Sequence, residues 1–390
     1  MANRDITTNT RLRLITPERS DTRIPDDRPT VVHALGGSGD AVRAASVIAA
    51  VEQVGLFRQL VVHSGTGGDP GAGGVLLRDL EMPVPRHHLC APVEAGAARM
   101  AALLNGFEEI LALESPDLVV VYGAGNTALA ASLAAGKQDV ALAHVEAGLR
   151  SGGPHPSLDL NRILIDRLAD TLLAASSSAG ANLLVEGVPD TRVHVVGSTS
   201  IDTLRRHESK ALHRSVWTAW GLERGRYVLV ALTSRDNIER GAAELDGAVA
   251  ELAGRESVAF CTPPWGTAHL EASGRRATLE AAGVRCGDPE GYIDFLSLLA
   301  GAGAVVTDSG SVQDEACALG VHCNTIGAHT DRPAALERGM NILLGDDPLA
   351  LAAVTPGVAG PTPGAVPLWD GRASERAASV IAANYAIRTH

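Results

Sequence analysis

The chain has 390 residues, of which 45% are apolar and 20% are charged, and its formal net charge at pH 7 is −12. This length exceeds one compact core and predicts two domains of ordinary size. The acidic balance disfavours nucleic acid as a partner. No apolar run reaches the roughly 18–20 residues of a membrane span, so we expect a cytoplasmic protein. The five cysteines have no metal-ligand spacing, and neither a disulfide nor a metal site is expected.

Residues 1–28 are polar and charged without an apolar run, which predicts a flexible N-terminal extension. From residue 30 onward, short apolar runs alternate with longer amphipathic stretches, a pattern typical of βα units that build parallel sheets. The apolar runs of the first half predict strands at Thr30–Leu35, Gln59–His63, Asp117–Tyr122, Val140–Val145, Thr171–Ala175 and Val193–Val196.

The pattern pauses at the polar stretch Arg205–Arg214 and then resumes. We therefore predict an α/β protein with two doubly wound Rossmann-like domains, residues 29–205 and residues 206–370, that face a central cleft. The Pro- and Gly-rich segment Thr355–Pro367 predicts a linker before a helix at Ala373–Tyr385. Strands of the second domain are predicted at Tyr227–Leu232, Ser257–Cys261, Ala304–Thr307 and His322–Ile326.

The first candidate binding element is a glycine-rich turn between the first predicted strand and the helix that follows. It reads Gly36-Gly37-Ser38-Gly39-Asp40, with Arg43 three residues further on. Glycines let a backbone approach a ligand closely, and the free N–H groups at a helix start favour an anion. Gly36, Ser38 and Arg43 are therefore candidate contacts for a phosphate. The alternative is a simple tight turn, because the Rossmann G-x-G-x-x-G fingerprint is missing.

The second candidate element is the stretch Thr307-Asp308-Ser309-Gly310-Ser311-Val312-Gln313-Asp314-Glu315, where a strand end turns into a helix. The turn offers the Ser309 hydroxyl and backbone N–H groups near Gly310 to a phosphate, while Glu315 can accept bonds from two ribose hydroxyls. The alternative is an N-capped helix with a solvated glutamate.

The third candidate region runs from His144 to Arg162 and contains Glu146 and Asp159. Arg235 and Asp236, which follow the first strand of the second domain, complete the set of charged candidates. Glu146, Asp159 and Asp236 are candidate acids or bases, and Arg162 and Arg235 are candidate partners of a diphosphate. The alternative is that these carboxylates are ordinary strand-end, solvated or ion-paired groups.

The order of these motifs from about residue 30 to residue 388 resembles the UDP-N-acetylglucosamine 2-epimerase family. The resemblance is carried by His-Val-Glu-Ala-Gly-Leu-Arg from His144, by the later Asn-Arg, by Thr-Asp-Ser-Gly from Thr307 and by Arg332-Pro333. It implies a GT-B-like fold whose final helix, residues 373–388, crosses back onto the first domain. It also implies that Ser309, Gly310 and Glu315 hold a nucleotide, with Arg332 near its phosphates. We further expect a homodimer.

The sequence departs from the family at positions that carry its proton-transfer chemistry. Where the family has Asp, Glu and His, this chain has Ala124, Leu158 and Thr233. Ser38 replaces an arginine of the family and Arg43 replaces a lysine. Alanine and leucine cannot move protons, and threonine hardly does so at neutral pH.

From these departures we expect glycosyl transfer instead of epimerisation. The donor would be a sugar linked to a nucleoside diphosphate, GDP or UDP, and the acceptor a sulfur nucleophile such as ergothioneine, because a thiol needs no strong base. Such a reaction resembles that of the S-glycosyltransferases of lincosamide antibiotic biosynthesis. No metal or other cofactor is expected, because a helix start and arginines can meet the leaving-group charge. The alternatives are a sugar-nucleotide 2-epimerase that uses Glu146, Asp159 and Asp236, and a non-catalytic nucleotide-sugar-binding protein.

Overall fold

The computed structural model describes residues 14–15, 27–65, 74–89, 96–153, 156–240, 242–345, 347–357 and 366–386. These residues form two parallel sheets with helices on both faces. No helix in these ranges is long and apolar enough to cross a bilayer.

The first sheet has the strand order β1-β4-β3-β2-β5-β6-β7-β8, and all neighbours are parallel except β1 and β4. Its strands are β1 (Leu14–Ile15), β2 (Thr30–Leu35), β3 (Arg58–His63), β4 (His87–Leu89), β5 (Leu118–Tyr122), β6 (Ala141–Ala147), β7 (Thr171–Ala174) and β8 (Val193–Val195). The helices of this half are α1 (Ser38–Val54), α2 (Gly74–Asp79), α3 (Ala97–Glu114), α4 (Asn126–Lys137), α5 (Pro156–Leu168), α6 (Ser177–Val185) and α7 (Thr199–Arg214). The direction of winding reverses between β2 and β5.

The second sheet has the order β11-β10-β9-β12-β13-β14 and is parallel throughout. Its strands are β9 (Tyr227–Ala231), β10 (Ser257–Cys261), β11 (Arg285–Cys286), β12 (Ala304–Thr307), β13 (His322–Ile326) and β14 (Asn341–Gly345). The helices are α8 (Val216–Ala219), α9 (Ala242–Ala253), α10 (Pro264–Ala272), α11 (Arg275–Ala281), α12 (Tyr292–Gly301), α13 (Gly310–Leu319), α14 (Pro333–Glu337) and α15 (Ala373–Tyr385). Here the winding reverses between β9 and β12, so both sheets have the doubly wound arrangement.

The predicted fold of two doubly wound α/β domains is confirmed. The central strands are covered on both faces, which is why they appear in the sequence as unbroken apolar runs. Every residue of β5 and of β9 is buried. The sequence pattern did not indicate the short strands β1, β4 and β11 or the edge strand β14.

Two helices connect the halves. Residue 205, the predicted domain boundary, lies inside α7, which packs against α1 as well as α12 and α13. α15 returns to the first domain, where Ile381 joins the core that lies under β2, β5 and β6. The Tyr385 hydroxyl lies 2.7 Å from the Thr171 hydroxyl, and Arg376 Nε donates to the Val196 carbonyl at 2.6 Å. Most of the predicted extension 1–28, the middle of the linker Thr355–Pro367 and residues 387–388 lie outside the described residues.

Candidate active site

A cleft of about 290 Å³ lies between the two sheets. It is lined by residues that follow the carboxyl ends of β2, β5 and β6 in the first sheet and of β9 and β12 in the second. Both points where the winding reverses therefore open into the same space, and such points are where ligands bind in these folds. The charged residues that line the cleft are Asp40, Arg43, Glu146, Arg162, Asp308, Asp331 and Arg332.

Glu146 occupies a strained position at the end of β6. Its backbone is left-handed, with φ of 66°, and the register between β6 and β7 shifts between Val145 and Ala147. A left-handed residue other than glycine costs free energy and persists only where the surroundings hold it. The bulge turns the Glu146 side chain into the cleft, where it is 2% exposed.

Two arginines, one from each domain, hold the Glu146 carboxylate. Arg43 Nε on α1 donates to Oε2 at 2.5 Å, and Arg332 Nη2 donates to the same oxygen at 3.1 Å. The Ser200 hydroxyl donates to Oε1 at 3.3 Å. Burial by itself raises the pKa of Glu146, but the two guanidinium groups outweigh it and lower the pKa to about 2. Glu146 is therefore an ionised carboxylate that links the domains.

Three guanidinium groups converge on the start of α13. A Cβ added at Gly310 would lie 2.9 Å from Arg332 Nε, a buried nitrogen without a hydrogen-bond partner among the described residues. Arg43 Nη2 donates to the Ser311 hydroxyl at 3.1 Å. Arg162 Nη2 on α5 donates to Asp331 Oδ2, and Asp331 Oδ1 lies 3.3 Å from Arg332 Nε. A helix start with free N–H groups and several arginines is suited to a diphosphate.

Several further acids surround this arginine cluster. Arg332 Nη1 donates to Asp314 Oδ2 at 2.9 Å, and burial raises the pKa of Asp314 to about 7 although Arg332 opposes the shift. Asp40 accepts bonds from the backbone N–H groups of Gly36 and Gly37 at 3.0 and 3.3 Å, and burial raises its pKa. Carboxyl groups in and beside the cleft therefore have pKa values shifted in opposite directions, lowered for Glu146 and raised for Asp40 and Asp314.

Asp308 connects the loops that follow β9 and β12. It accepts bonds from Thr233 N at 2.7 Å, Thr233 Oγ1 at 3.0 Å, Ser234 N at 3.0 Å and Asn237 Nδ2 at 2.8 Å. Thr233 thus lines the cleft with its hydroxyl already engaged. Ala124 and Leu158, the other two positions that depart from the family motif, also line the cleft.

The predicted binding residues divide into two groups. Arg43, Arg162, Ser309, Gly310 and Arg332 line the cleft. The remaining four, Gly36, Ser38, Arg235 and Glu315, are absent from the described lining.

The four residues of the second group differ in their settings, and one of them, Arg235, is exposed and pairs with Glu239. Gly36 packs so closely on Thr127 that an added Cβ would lie 2.5 Å from the threonine hydroxyl. Ser38 is exposed at the start of α1. Glu315 is buried and accepts a bond from the Tyr292 hydroxyl at 2.8 Å, and burial raises its pKa to about 7.

Of the three predicted catalytic carboxylates, only Glu146 lines the cleft. Asp159 accepts bonds from the Ser151 hydroxyl at 2.7 Å and from Arg162 Nη1 at 2.6 Å, so it orients Arg162. Asp236 is exposed, and its backbone N–H donates to the Ser234 hydroxyl at 3.2 Å. Four further acids at or beside the cleft were not predicted from the sequence, although each lies within three residues of a predicted position: Asp40, Asp308, Asp314 and Asp331.

The fold and this cleft define a two-domain α/β protein with a cluster of arginines at a helix start between its domains. The chain belongs to the UDP-N-acetylglucosamine 2-epimerase family, whose model matches residues 49–382. The UDP-N-acetylglucosamine 2-epimerase of Methanocaldococcus jannaschii is 30% identical over 80% of this chain and 87% of its own length. The enzyme of the same name from Methanococcus maripaludis is 29% identical over 80% and 87%. The crystal structure of the M. jannaschii enzyme in complex with UDP-GlcNAc and UDP has a TM-score of 0.82 and 27% identity, and the match covers 91% of this chain and 99% of that one.

The expectation of glycosyl transfer to a sulfur nucleophile is wrong. The family and both relatives are named for 2-epimerisation and match most of the chain. They give no support to an ergothioneine acceptor or to a role in antibiotic biosynthesis. Substitution at Ala124, Leu158 and Thr233 does not remove all acid–base groups from the cleft, because the buried Glu146 carboxylate lines it and is ionised.

Proposed function

We propose that this protein is a sugar-nucleotide 2-epimerase that acts on a UDP-linked N-acetylhexosamine. The observation that carries the proposal is the position of Glu146, a buried and ionised carboxylate between Arg43 and Arg332, beside the start of α13. The base and the anion site thus share one cleft, as an elimination across C1–C2 of the sugar requires. Homodimer formation stays a prediction.

In the proposed reaction, Glu146 takes the proton from C2 of the sugar. The electron pair of that C–H bond forms the C1–C2 double bond, and the C1–O bond breaks with its pair passing to the diphosphate. Arg43, Arg162 and Arg332 offset the charge that develops on the leaving group. Glu146 releases the abstracted proton to solvent, a proton derived from solvent is delivered to the opposite face of C2, and addition of UDP back to C1 gives the epimer.

Substrate binding also makes Glu146 a better base. In the ligand-free cleft its two arginine partners hold the pKa at about 2, too low for efficient proton transfer near pH 7. When those guanidinium groups turn to the diphosphate, burial remains and raises the pKa of Glu146. The basicity of Glu146 is therefore coupled to occupation of the anion site.

A second candidate function is a nucleotide-sugar-binding protein without turnover. Ala124, Leu158 and Thr233 favour it, because all three line the cleft and none can supply a proton-transfer group near pH 7. Both candidates predict UDP binding, and only the first predicts exchange at C2.

The test is incubation with UDP-N-acetylglucosamine in heavy water, followed by proton NMR of the recovered sugar nucleotide. The epimerase proposal predicts deuterium at C2 and formation of the 2-epimer. UDP affinity is measured on the same preparation by calorimetry. Tight UDP binding with protium retained at C2 would refute the epimerase and favour the binding protein.

A further inference from the structure

The second domain presents an aromatic platform that the proposed chemistry does not use. The guanidinium carbon of Arg235 lies 4.6 Å from the centroid of the Trp265 ring. Trp265 is half-buried and packs against the core of the second domain, whereas the Arg235 side chain is 64% exposed and also pairs with Glu239 at 2.7 Å. One planar group on the solvent side therefore covers the indole.

The register of the second sheet places this platform relative to the anion site. Cys261 at the end of β10 pairs with Ala231 on β9, which pairs with Thr307 at the end of β12. Trp265 follows the first of these strands, and Gly310 follows the last. Two strand spacings separate them, roughly 10 Å in the plane of the sheet. An extended nucleotide spans a similar length between its diphosphate and its base.

Asp308 fixes the intervening loop. Its carboxylate accepts hydrogen bonds from the backbone N–H groups of Thr233 and Ser234, the two residues before Arg235. Asp308 itself lies between the end of β12 and the start of α13. The platform and the anion site are therefore joined through one carboxylate, as parts of a preformed nucleotide site would be.

We propose that Trp265 stacks on the base of the bound nucleotide. In the ligand-free protein, the Arg235 guanidinium group covers the face of Trp265 that this base would occupy. A base is planar and has a π-face like the indole it would cover, and base–aromatic stacking tolerates every base. Arg235 then moves aside and makes no contact with the diphosphate. This inference rests on the proposed nucleotide binding but not on turnover.

The experiment measures calorimetric affinities for UDP and for inorganic pyrophosphate, which lacks a base. Trp265→Ala is expected to weaken UDP binding by roughly 10-fold or more while pyrophosphate affinity stays unchanged. Trp265→Phe keeps an aromatic face and is expected to retain most of the UDP affinity. Arg235→Ala is expected to bind UDP at least as tightly as the wild type.

Tryptophan fluorescence provides a second measurement if Trp265→Ala does not fold. UDP is expected to quench the wild type and the control Trp369→Phe, whose tryptophan is also half-buried, but not Trp265→Phe. Unchanged UDP affinity in Trp265→Ala would overturn the inference. An equal loss of UDP and pyrophosphate affinity in Arg235→Ala would overturn it too, because Arg235 would then contact the diphosphate. Absence of C2 exchange with these binding results intact would refute only the epimerase.

Discussion

Glu146 shows how a single residue acquires its chemistry from its surroundings. Its carboxylate is ionised although it is almost fully buried, because Arg43 and Arg332 donate to one oxygen from opposite domains. Removal of one partner of such a buried cluster leaves the other charges uncompensated. Substitution of Glu146 therefore affects both the proposed catalysis and the charge of the anion site.

Glu146→Gln is expected to slow deuterium exchange at C2 by about 10²–10⁴-fold, because an amide cannot act as a base. UDP affinity is expected to rise, since Arg43 and Arg332 lose a competing anion. NMR exchange rates and calorimetry on the same samples measure the two effects. Glu223→Gln, which removes an exposed carboxylate paired with Arg226 on the surface of the second domain, serves as the control. An exchange rate equal to that of the wild type would show that Glu146 is not the base.

At the scale of elements, the central strands could be predicted, whereas three of the four strands at the sheet edges could not. The strand predicted at Thr30–Leu35 has the observed bounds, because a strand covered on both faces appears as a mainly apolar run. The strand Arg285–Cys286 has two residues at a sheet edge and no apolar run to indicate it. Edge strands are often short and charged, which removes the signal.

The site could be predicted only in part for a similar reason. Sequence motifs indicated Arg43, Gly310 and Arg332, because a glycine-rich strand–helix turn and an arginine are local features. The bulge at Glu146 and the bond between Glu315 and Tyr292 depend on packing between distant segments. Such tertiary contacts leave no periodic trace in the sequence.

The turn after β6 gives a prediction about stability. Gly148 has φ of 80°, and a Cβ there would collide with the carbonyl oxygen of Ala179 at the start of α6. Gly148→Ala combines backbone strain with that collision and is expected to lower the free energy of unfolding by roughly 3 kcal/mol or more. Gly152→Ala is the matched control, because φ is 63° but no atom lies within 4 Å, and a loss of about 1 kcal/mol is expected there.

Denaturant titration of both variants measures these differences. Equal losses in Gly148→Ala and Gly152→Ala would mean that the contact with Ala179 does not fix the turn. Since this turn follows directly on the Glu146 bulge, Gly148→Ala is also expected to reduce UDP affinity.

At the scale of the whole molecule, ion pairs join the two domains across the cleft. Arg332 from the second domain pairs with Glu146 from the first, and Arg162 from the first pairs with Asp331 from the second. A diphosphate bound at the proposed anion site would compete with both carboxylates for the same guanidinium groups. We therefore expect ligand binding to alter the contacts between domains as well as the charge state of the cleft.

The carboxyl groups around Arg332 also couple folding to pH. Burial raises the pKa of both Asp314 and Glu315 to about 7, above the value of about 4 in an unfolded chain. The folded protein therefore binds protons that the unfolded chain releases between these values. The stabilisation from these two neutral groups is complete below pH 4 and is lost as the pH rises through about 7.

We expect UDP binding to be coupled to the uptake of a proton by the protein. The diphosphate adds negative charge beside Asp314, which raises the pKa of that carboxyl further and draws a proton from solvent at pH 7. UDP affinity is therefore expected to fall as the pH rises from 6 to 8. The expected decrease is roughly ten-fold per pH unit for each proton taken up. Calorimetry at pH 7 in two buffers with different ionisation enthalpies measures the uptake directly.

Asp314→Asn is expected to reduce the proton uptake. Asp370→Asn, the control, should leave it unchanged, because hydrogen bonding from Arg376 holds the pKa of that surface carboxyl at about 2. UDP binding without proton uptake in the wild type would mean that the arginines alone neutralise the diphosphate.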